Sequence, residues 1–379
     1  WDSPAVFGTA RDVAAQVGAP TQVIPVSISY PEGDPGREDE MIQQIADHWQ
    51  AQVHWLHSTD MPILDEPVRA ARQRDLPWAH LFEQWNRAMP RALAALDARV
   101  LLSGYGGDQL FQVSDIYLAD LFWSLRWVQL RQEWIAKRGE GIRRFFKWAI
   151  EPGLPRWALG LIKTLRGGRA LTPYINRIIP DWFRADFPGR EELELGARDH
   201  EPSPAIRSRA EAEGTWYLTE PTFPRVNAEI TAFALEADVE HRAPLYDRRI
   251  VEFVATRPWT DRTYGKETKR LLRAASKGLV PDPILAPRES RTGTTDEYAK
   301  TAFGKDFPEL LSELRSKPLR LAELGIVDGE EFDAACENLR ASPHTGLELP
   351  IFLTAQTELW LRGLGAESSA SIGATHEQH

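Results

Sequence analysis

Hydrophobic and polar positions follow two regimes along this chain. In the first third, short apolar β-branched runs alternate with stretches of helical period. Ala5, Val6, Ala10, Val13, Ala14 and Val17 recur at near-helical spacing. Ser3 suits the N-cap of that helix and Pro4 its first turn, while Gly18 and Pro20 end it. Residues 23–30 (VIPVSISY) read as a buried strand, 31–36 as a loop, and 38–49 as an amphipathic helix with Met41, Ile42, Ile45 and Trp49 on one side. A second strand covers 53–56, and 68–96 is helical with breaks near Pro77 and Pro90. A third strand ends at Leu102. Ser103 to Gly107 then form a glycine-rich turn, and Asp108 opens a helix. Past Asp108 the pattern is helical, with no convincing strand. Strands alternating with helices predict an α/β fold, a parallel sheet covered by helices on both faces, followed by a mostly α-helical remainder.

Ligands of such sheets bind at the carboxyl ends of the strands. The N-terminus of the first helix, at Asp2-Ser3, and the turn 103–108 are both expected at that edge. A glycine turn lets a ligand approach the backbone, and a helix N-terminus attracts phosphate through its free N–H groups and its dipole. The chain opens directly at that helix, so the strand and turn that would present Asp2 are expected upstream of Trp1.

Composition changes this picture little. The chain has 379 residues, 42% hydrophobic and 26% charged, ordinary for a soluble globular protein. No apolar run reaches a membrane span, and no leader precedes a cleavage site. The single cysteine, Cys336, sits in a helical pattern, reads as core, and suits a reducing compartment; a cytoplasmic location is expected. A net charge of −10 argues against a nucleic-acid-coating surface. Residues 126–169 depart from that balance, with eleven Lys or Arg against three acids and interleaved tryptophans. They read first as a helical insert with packed aromatics and solvated charges, and second as a basic, aromatic surface for an acidic or extended partner. The parts expected are 1–122 (α/β), 123–215 (basic, aromatic insert), 216–365 (helical remainder) and 366–379, a small polar tail without structure whose His376 and His379 lack the further ligands of a metal site.

Several stretches together resemble one family. Ser103-Gly104-Tyr105-Gly106-Gly107-Asp108-Gln109-Leu110-Phe111 is similar to the S-G-x-G-x-D-E-L-F of the synthetase domain of asparagine synthetases, whose relatives include β-lactam synthetases and lasso-peptide cyclases. Residues 240–249 (EHRAPLYDRR) resemble that family's E-x-R-x-P-F-L-D-x-x. Residues 269–273 (KRLLR) with the following Pro281 resemble K-x-x-L-R and L-P, and 358–362 (ELWLR) the closing motif of longer members. Asp2-Ser3 match the end of the pyrophosphate loop S-G-G-x-D-S. The resemblance runs in order over nearly the whole chain.

It implies an ATP-pyrophosphatase-like fold and an ATP-dependent ligase that forms C–N bonds, activating a carboxylate as an acyl-adenylate for attack by an amine. ATP and Mg²⁺ are the implied cofactors. Pyrophosphate carries several negative charges, so N–H donors, cations and Mg²⁺-holding acids are needed. Asp2 and Asp108 are the metal candidates. Ser3 faces the pyrophosphate, Lys269 neutralises phosphate charge, and Ser103, Gly104 and Gly106 line the nucleotide, with Ser27 or Ile28 near the adenine. Glu240, Arg242 and Asp247 read as an ion-paired corner, and 288–295 as a polar loop able to close over the nucleotide. Asparagine synthetases usually have Glu where this chain has Tyr105. β-Lactam synthetases resemble it in having Tyr there, paired with a downstream Glu as a proton-accepting dyad, and Glu229 lies near that place. The acceptor therefore stays open between ammonia on aspartate and an amine within the substrate, as in macrolactam closure. The resemblance also implies an N-terminal glutamine-hydrolysing domain, to which nothing in these residues corresponds, or a separate peptide-delivering partner. A non-catalytic nucleotide- or peptide-binding homologue is the alternative from another class.

Overall fold

The computed structural model describes residues 2–376 apart from 19–21, 65, 73, 78–79, 138–140, 166–178, 200–201, 203–205, 207, 221, 288–292 and 343–345. The first third contains helix α1 (Asp2–Gln16), strand β1 (Val26–Ser29), α2 (Asp39–His48), β2 (His54–His57), α3 (Pro67–Arg72), α4 (Glu83–Ala95), β3 (Val100–Leu102) and α5 (Gly107–Phe111). β1 and β2 pair in parallel with Val26 opposite His54, and α2 supplies the crossover. Trp49, just past α2, donates from its indole to the Leu279 carbonyl, and Ile45 packs with Val280 and Ile284.

Two expectations need correction here. A fourth strand, β4 (Glu240–Arg242), follows the glycine turn by more than a hundred residues and pairs in parallel with β3, Val100 opposite Glu240. Three residues reading Glu-His-Arg carry no alternation, so the pattern conceals it; only the central His241 is buried. Pro90 also fails to break its helix. It lies buried inside α4, which runs through it. Packing of Trp85 and Leu93 on either side outweighs the one lost backbone donor. The sheet itself is two parallel pairs, β1–β2 and β3–β4, among the described residues. Residues of β1 and β3 line opposite parts of one cavity of about 560 Å³, together with α1, α2 and α4.

The largest core lies in the C-terminal half. Phe303, Phe307, Leu310 and Leu314 from the helix Asp296–Arg315 pack against Phe332, Cys336 and Leu339, and against Ile351, Phe352 and Leu359 of the last helix. Cys336 is fully buried, and burial pushes its thiol up to about 12, an inert core residue. The last helix is described from Glu348 to His376, into the stretch expected to lack structure. In the insert the aromatics divide. Trp134, Phe145 and Trp148 pack on a core around Tyr117 and Leu121, while Trp123, Trp127 and Trp157 are exposed. Among the described residues no helix is long and apolar enough to cross a membrane.

Candidate functional site

The turn after β3 and the start of α1 are pressed together, and the glycines allow it. A Cβ at Gly104 would collide with the backbone N of Ser3, and one at Gly107 with the Asp2 carboxyl. Gly106 takes the left-handed φ of +98° and leaves no room for a side chain against the Tyr246 ring. Asp2, Ser3, Gly104 and Gly107 thus share one place, as the sequence reading expected of the loop and the turn.

Lys269 joins them from 267 residues away. Its ammonium lies 2.7 and 2.6 Å from the two carboxylate oxygens of Asp2 and 2.7 Å from Asp108 Oδ1. The lysine is 6% exposed and holds a left-handed φ of 54°, uncommon for a residue with a side chain. The helix Arg270–Ala275 starts immediately after it. Arg273 in that helix donates to the carbonyls of Thr268, Leu285 and Ala286, which pins the backbone on the far side. Two carboxylates around one cation, one of them largely exposed, suit Mg²⁺, which is commonly held by one or two carboxylates and completes its shell with water and phosphate oxygens. Among the described residues no group of three or more His, Cys, Asp or Glu could make an all-protein metal cage.

Ser103 is held by a chain of hydrogen bonds that the sequence reading missed. The Tyr105 N–H donates to Ser103 Oγ at 3.4 Å, and Ser103 Oγ lies 2.7 Å from His241 Nε2. His241 Nδ1 is 3.1 Å from Thr231 Oγ1, whose own proton goes to the Asn227 carbonyl. Because Thr231 spends its proton there, it accepts from Nδ1–H, and Ser103 donates to Nε2. His241 is buried, and desolvation holds its pKa below the usual value, in favour of this neutral form. The available signal was its position between Glu240 and Arg242. Those two pair with each other on the exposed side, at 2.8 Å, and Asp247 caps and pairs with Arg249. The corner is a set of local pairs, and the residue that reaches across it is His241.

No hydrogen bond joins Tyr105 to Glu229 among the described contacts. The Tyr105 hydroxyl donates to the Phe223 carbonyl at 2.7 Å, and its pKa is raised by burial, by Tyr246 and by the Glu220 charge. Glu229 faces Arg225, with Oε1 3.8 Å from Nε. Burial pushes its carboxyl up to about 7, against the lowering effect of Arg225. The helix Thr222–Leu235 carries Phe223, Glu229 and Thr231, so the turn 103–107 is tied to it twice.

Ser27 lines the cavity beside Asp2, Ser3 and Arg242, whereas Ile28 packs toward Tyr30, Met61 and Trp85. The body of the cavity is apolar, walled by Val6, Ile24, Val26, Ile45, Leu93 and Leu101. Its polar lining includes Asp2, Ser3, Ser27, Glu38 and Arg242. Residues 288–292 of the expected closing loop lie outside the described residues, and Gly293 donates to the Pro35 carbonyl. The closing motif is architectural: Glu358 is fully buried, bound to the N–H groups of Arg320 and Leu321 and to Arg362.

The sequence is also similar to that of known proteins. A stretch of the chain is 33% identical over 87 residues to Asparagine synthetase [glutamine-hydrolyzing] 3 of Bacillus subtilis (strain 168), covering 22% of this chain and 13% of that protein. The match thus spans far less than two thirds of the relative. Residues 1–362 match the family described as Asparagine synthase, nearly the whole length. With the family's acidic, glycine-turn and lysine motifs converging on one spot, this chain belongs to the asparagine synthase family.

Proposed function

We propose that this protein is an ATP-dependent ligase that joins a carboxylate to an amine and releases AMP and pyrophosphate. The observation that carries the reading is the convergence of Asp2, Asp108 and Lys269 beside a glycine turn and the N-terminus of α1. Asp2 and Asp108 hold Mg²⁺, which supplies charge neutralisation on the phosphates. Ser3 and the free N–H groups of α1 meet the pyrophosphate end of the nucleotide. Lys269 offsets the negative charge that builds up as pyrophosphate leaves. Ser103, Gly104 and Gly106 shape the wall against the adenosine, and Ser27 stands at the rim toward the base.

The amine is proposed to lie on the side of the turn that faces the helix Thr222–Leu235. There Glu229, with a carboxyl near neutrality, can take the proton of an attacking amine at physiological pH. Tyr105 joins it as a dyad once its hydroxyl leaves the Phe223 carbonyl. This favours a second reading of the acceptor, a ring-closing reaction of the macrolactam or β-lactam type, beside aspartate amidation by ammonia. A glutamine-hydrolysing domain or a peptide-delivering protein is the partner that each reading calls for, and the cytoplasm is the proposed compartment.

The test is ATP–pyrophosphate exchange on the full-length protein. Exchange that depends on added aspartate supports the amidation reading, and exchange that depends on a precursor peptide supports ring closure. Nucleotide binding without exchange under any carboxylate would replace both with a non-catalytic binding protein.

A further inference from the structure

Asp2 and Asp108 are required by the proposed mechanism to hold a divalent cation, yet a cation of the protein's own occupies them. The Lys269 ammonium has three N–H bonds and three carboxylate oxygens within 2.6–2.7 Å, so its donors are all committed to these two residues. Mg²⁺ bonds carboxylate oxygens at about 2.0–2.1 Å and demands near-octahedral geometry. An ammonium on the same oxygens occupies the same volume and repels a second cation. Metal and lysine therefore exclude one another at these lone pairs.

The surroundings determine how the exchange can occur. The Lys269 backbone sits at a left-handed φ and is clamped by Arg273, which leaves side-chain rotation as the available movement. The lysine side chain is 8% exposed, so its ammonium is largely shielded from bulk water where it stands. A displaced, buried ammonium needs another anion within reach. An incoming phosphate supplies one, and it also supplies the oxygens that complete the metal's shell.

We infer that Lys269 is a resident placeholder cation: it holds Asp2 and Asp108 together in the nucleotide-free protein, excludes free divalent metal, and yields the carboxylates only to a metal that arrives with nucleotide phosphate, to which it then transfers its hydrogen bonds. This rests on the proposed assignment of Asp2 and Asp108 as the metal-holding pair. The enzyme would thereby bind the metal–nucleotide complex as a unit and leave free metal unbound.

Mn²⁺ binding, followed by electron paramagnetic resonance on the full-length protein with and without ATP, tests this. The wild type should bind Mn²⁺ weakly alone and strongly with ATP. Lys269→Met should bind it without ATP about tenfold more tightly than wild type or better, the size of an ordinary site–site coupling. Mn²⁺ should also raise the melting temperature of that variant and leave the nucleotide-free wild type unmoved. Lys269→Gln, neutral but still able to donate to a carboxylate, takes its place if Met prevents folding. Equal nucleotide-free affinity in wild type and variants overturns the placeholder role. An Asp108→Asn protein that binds Mn²⁺–ATP as well as wild type overturns the metal assignment beneath it, and the two failures are thus told apart.

Discussion

Two ionic clusters in this molecule differ in how they are closed. Around Glu358, every partner is internal. One carboxylate oxygen accepts from the Arg320 N–H and Arg362 Nε, the other from the Leu321 N–H. Arg362 spends three more donors on the carbonyls of Glu313, Leu314 and Lys317. The whole set lies beside the core around Phe303 and Cys336. Around Lys269 the partners among the described residues are the two carboxylates, and the Asp108 side chain is 63% exposed. Both clusters fall within family motifs. The first is held largely by backbone groups. The second is held by groups that a ligand can replace. Satisfaction by backbone thus separates architecture from chemistry here more clearly than motif strength does.

The largest expected effect follows from breaking the closed cluster. Glu358→Ala leaves the mostly buried Arg362 without its carboxylate and two backbone N–H groups without an acceptor. Breaking such a buried pair from one side costs about 3–5 kcal/mol, which urea denaturation will read as a large fall in midpoint. A change under about 1 kcal/mol would refute the structural role, since that is the size of an exposed pair. Next comes Gly107→Ala at the open cluster. The added methyl displaces the Asp2 carboxyl, so nucleotide affinity should fall sharply while the melting temperature moves by only a few degrees. Unchanged ATP binding would show that Asp2 does not need its present position.

Smaller effects belong to the acceptor side. Tyr105→Phe removes one hydrogen bond to the Phe223 carbonyl, at a cost of about 1 kcal/mol, and should slow amide formation while leaving ATP–pyrophosphate exchange largely intact. Equal overall turnover would remove Tyr105 from the chemistry. Glu229 gives the subtlest signature. Its folded pKa of about 7 lies above the unfolded value, so between roughly pH 4.5 and 7 the native state binds the extra proton. Its contribution to stability is full below pH 4.5 and is lost as pH rises through 7. Glu229→Gln should flatten that part of the stability–pH curve, and an unaltered slope in the variant would count against the buried, raised carboxyl.

Much of the site could be read from sequence because its pieces are local. The helical period of α1, the apolar run of β1 and the glycine turn each carry a short-range signal, although α1 already begins at Asp2 and holds Ser3 within its first turn, where the sequence suggested a cap. What could not be read depends on distant partners. Lys269 is singled out by resemblance, but locally it is one charge among several, and its pairing with Asp2 appears only in the structure. β4 is three polar residues whose strand character comes from pairing with β3. His241 acquires its role only between Ser103 and Thr231. Glu229 was placed near Tyr105 by resemblance, and the helix that carries both Phe223 and Glu229 turns the carboxylate toward Arg225 instead. The division of the strands into two pairs around an apolar cavity likewise has no counterpart in the local pattern.

Asp108 is an exposed residue whose charge the proposed site needs and whose change to Asn keeps its shape and spares the fold. ATP–pyrophosphate exchange measured on full-length wild type and Asp108→Asn is the decisive comparison. A loss of about a hundredfold or more at unchanged melting temperature is predicted, in line with removing one stabilising group at a reacting phosphate. Exchange in the variant equal to that of wild type would contradict the assignment of this cluster as the nucleotide-activating site.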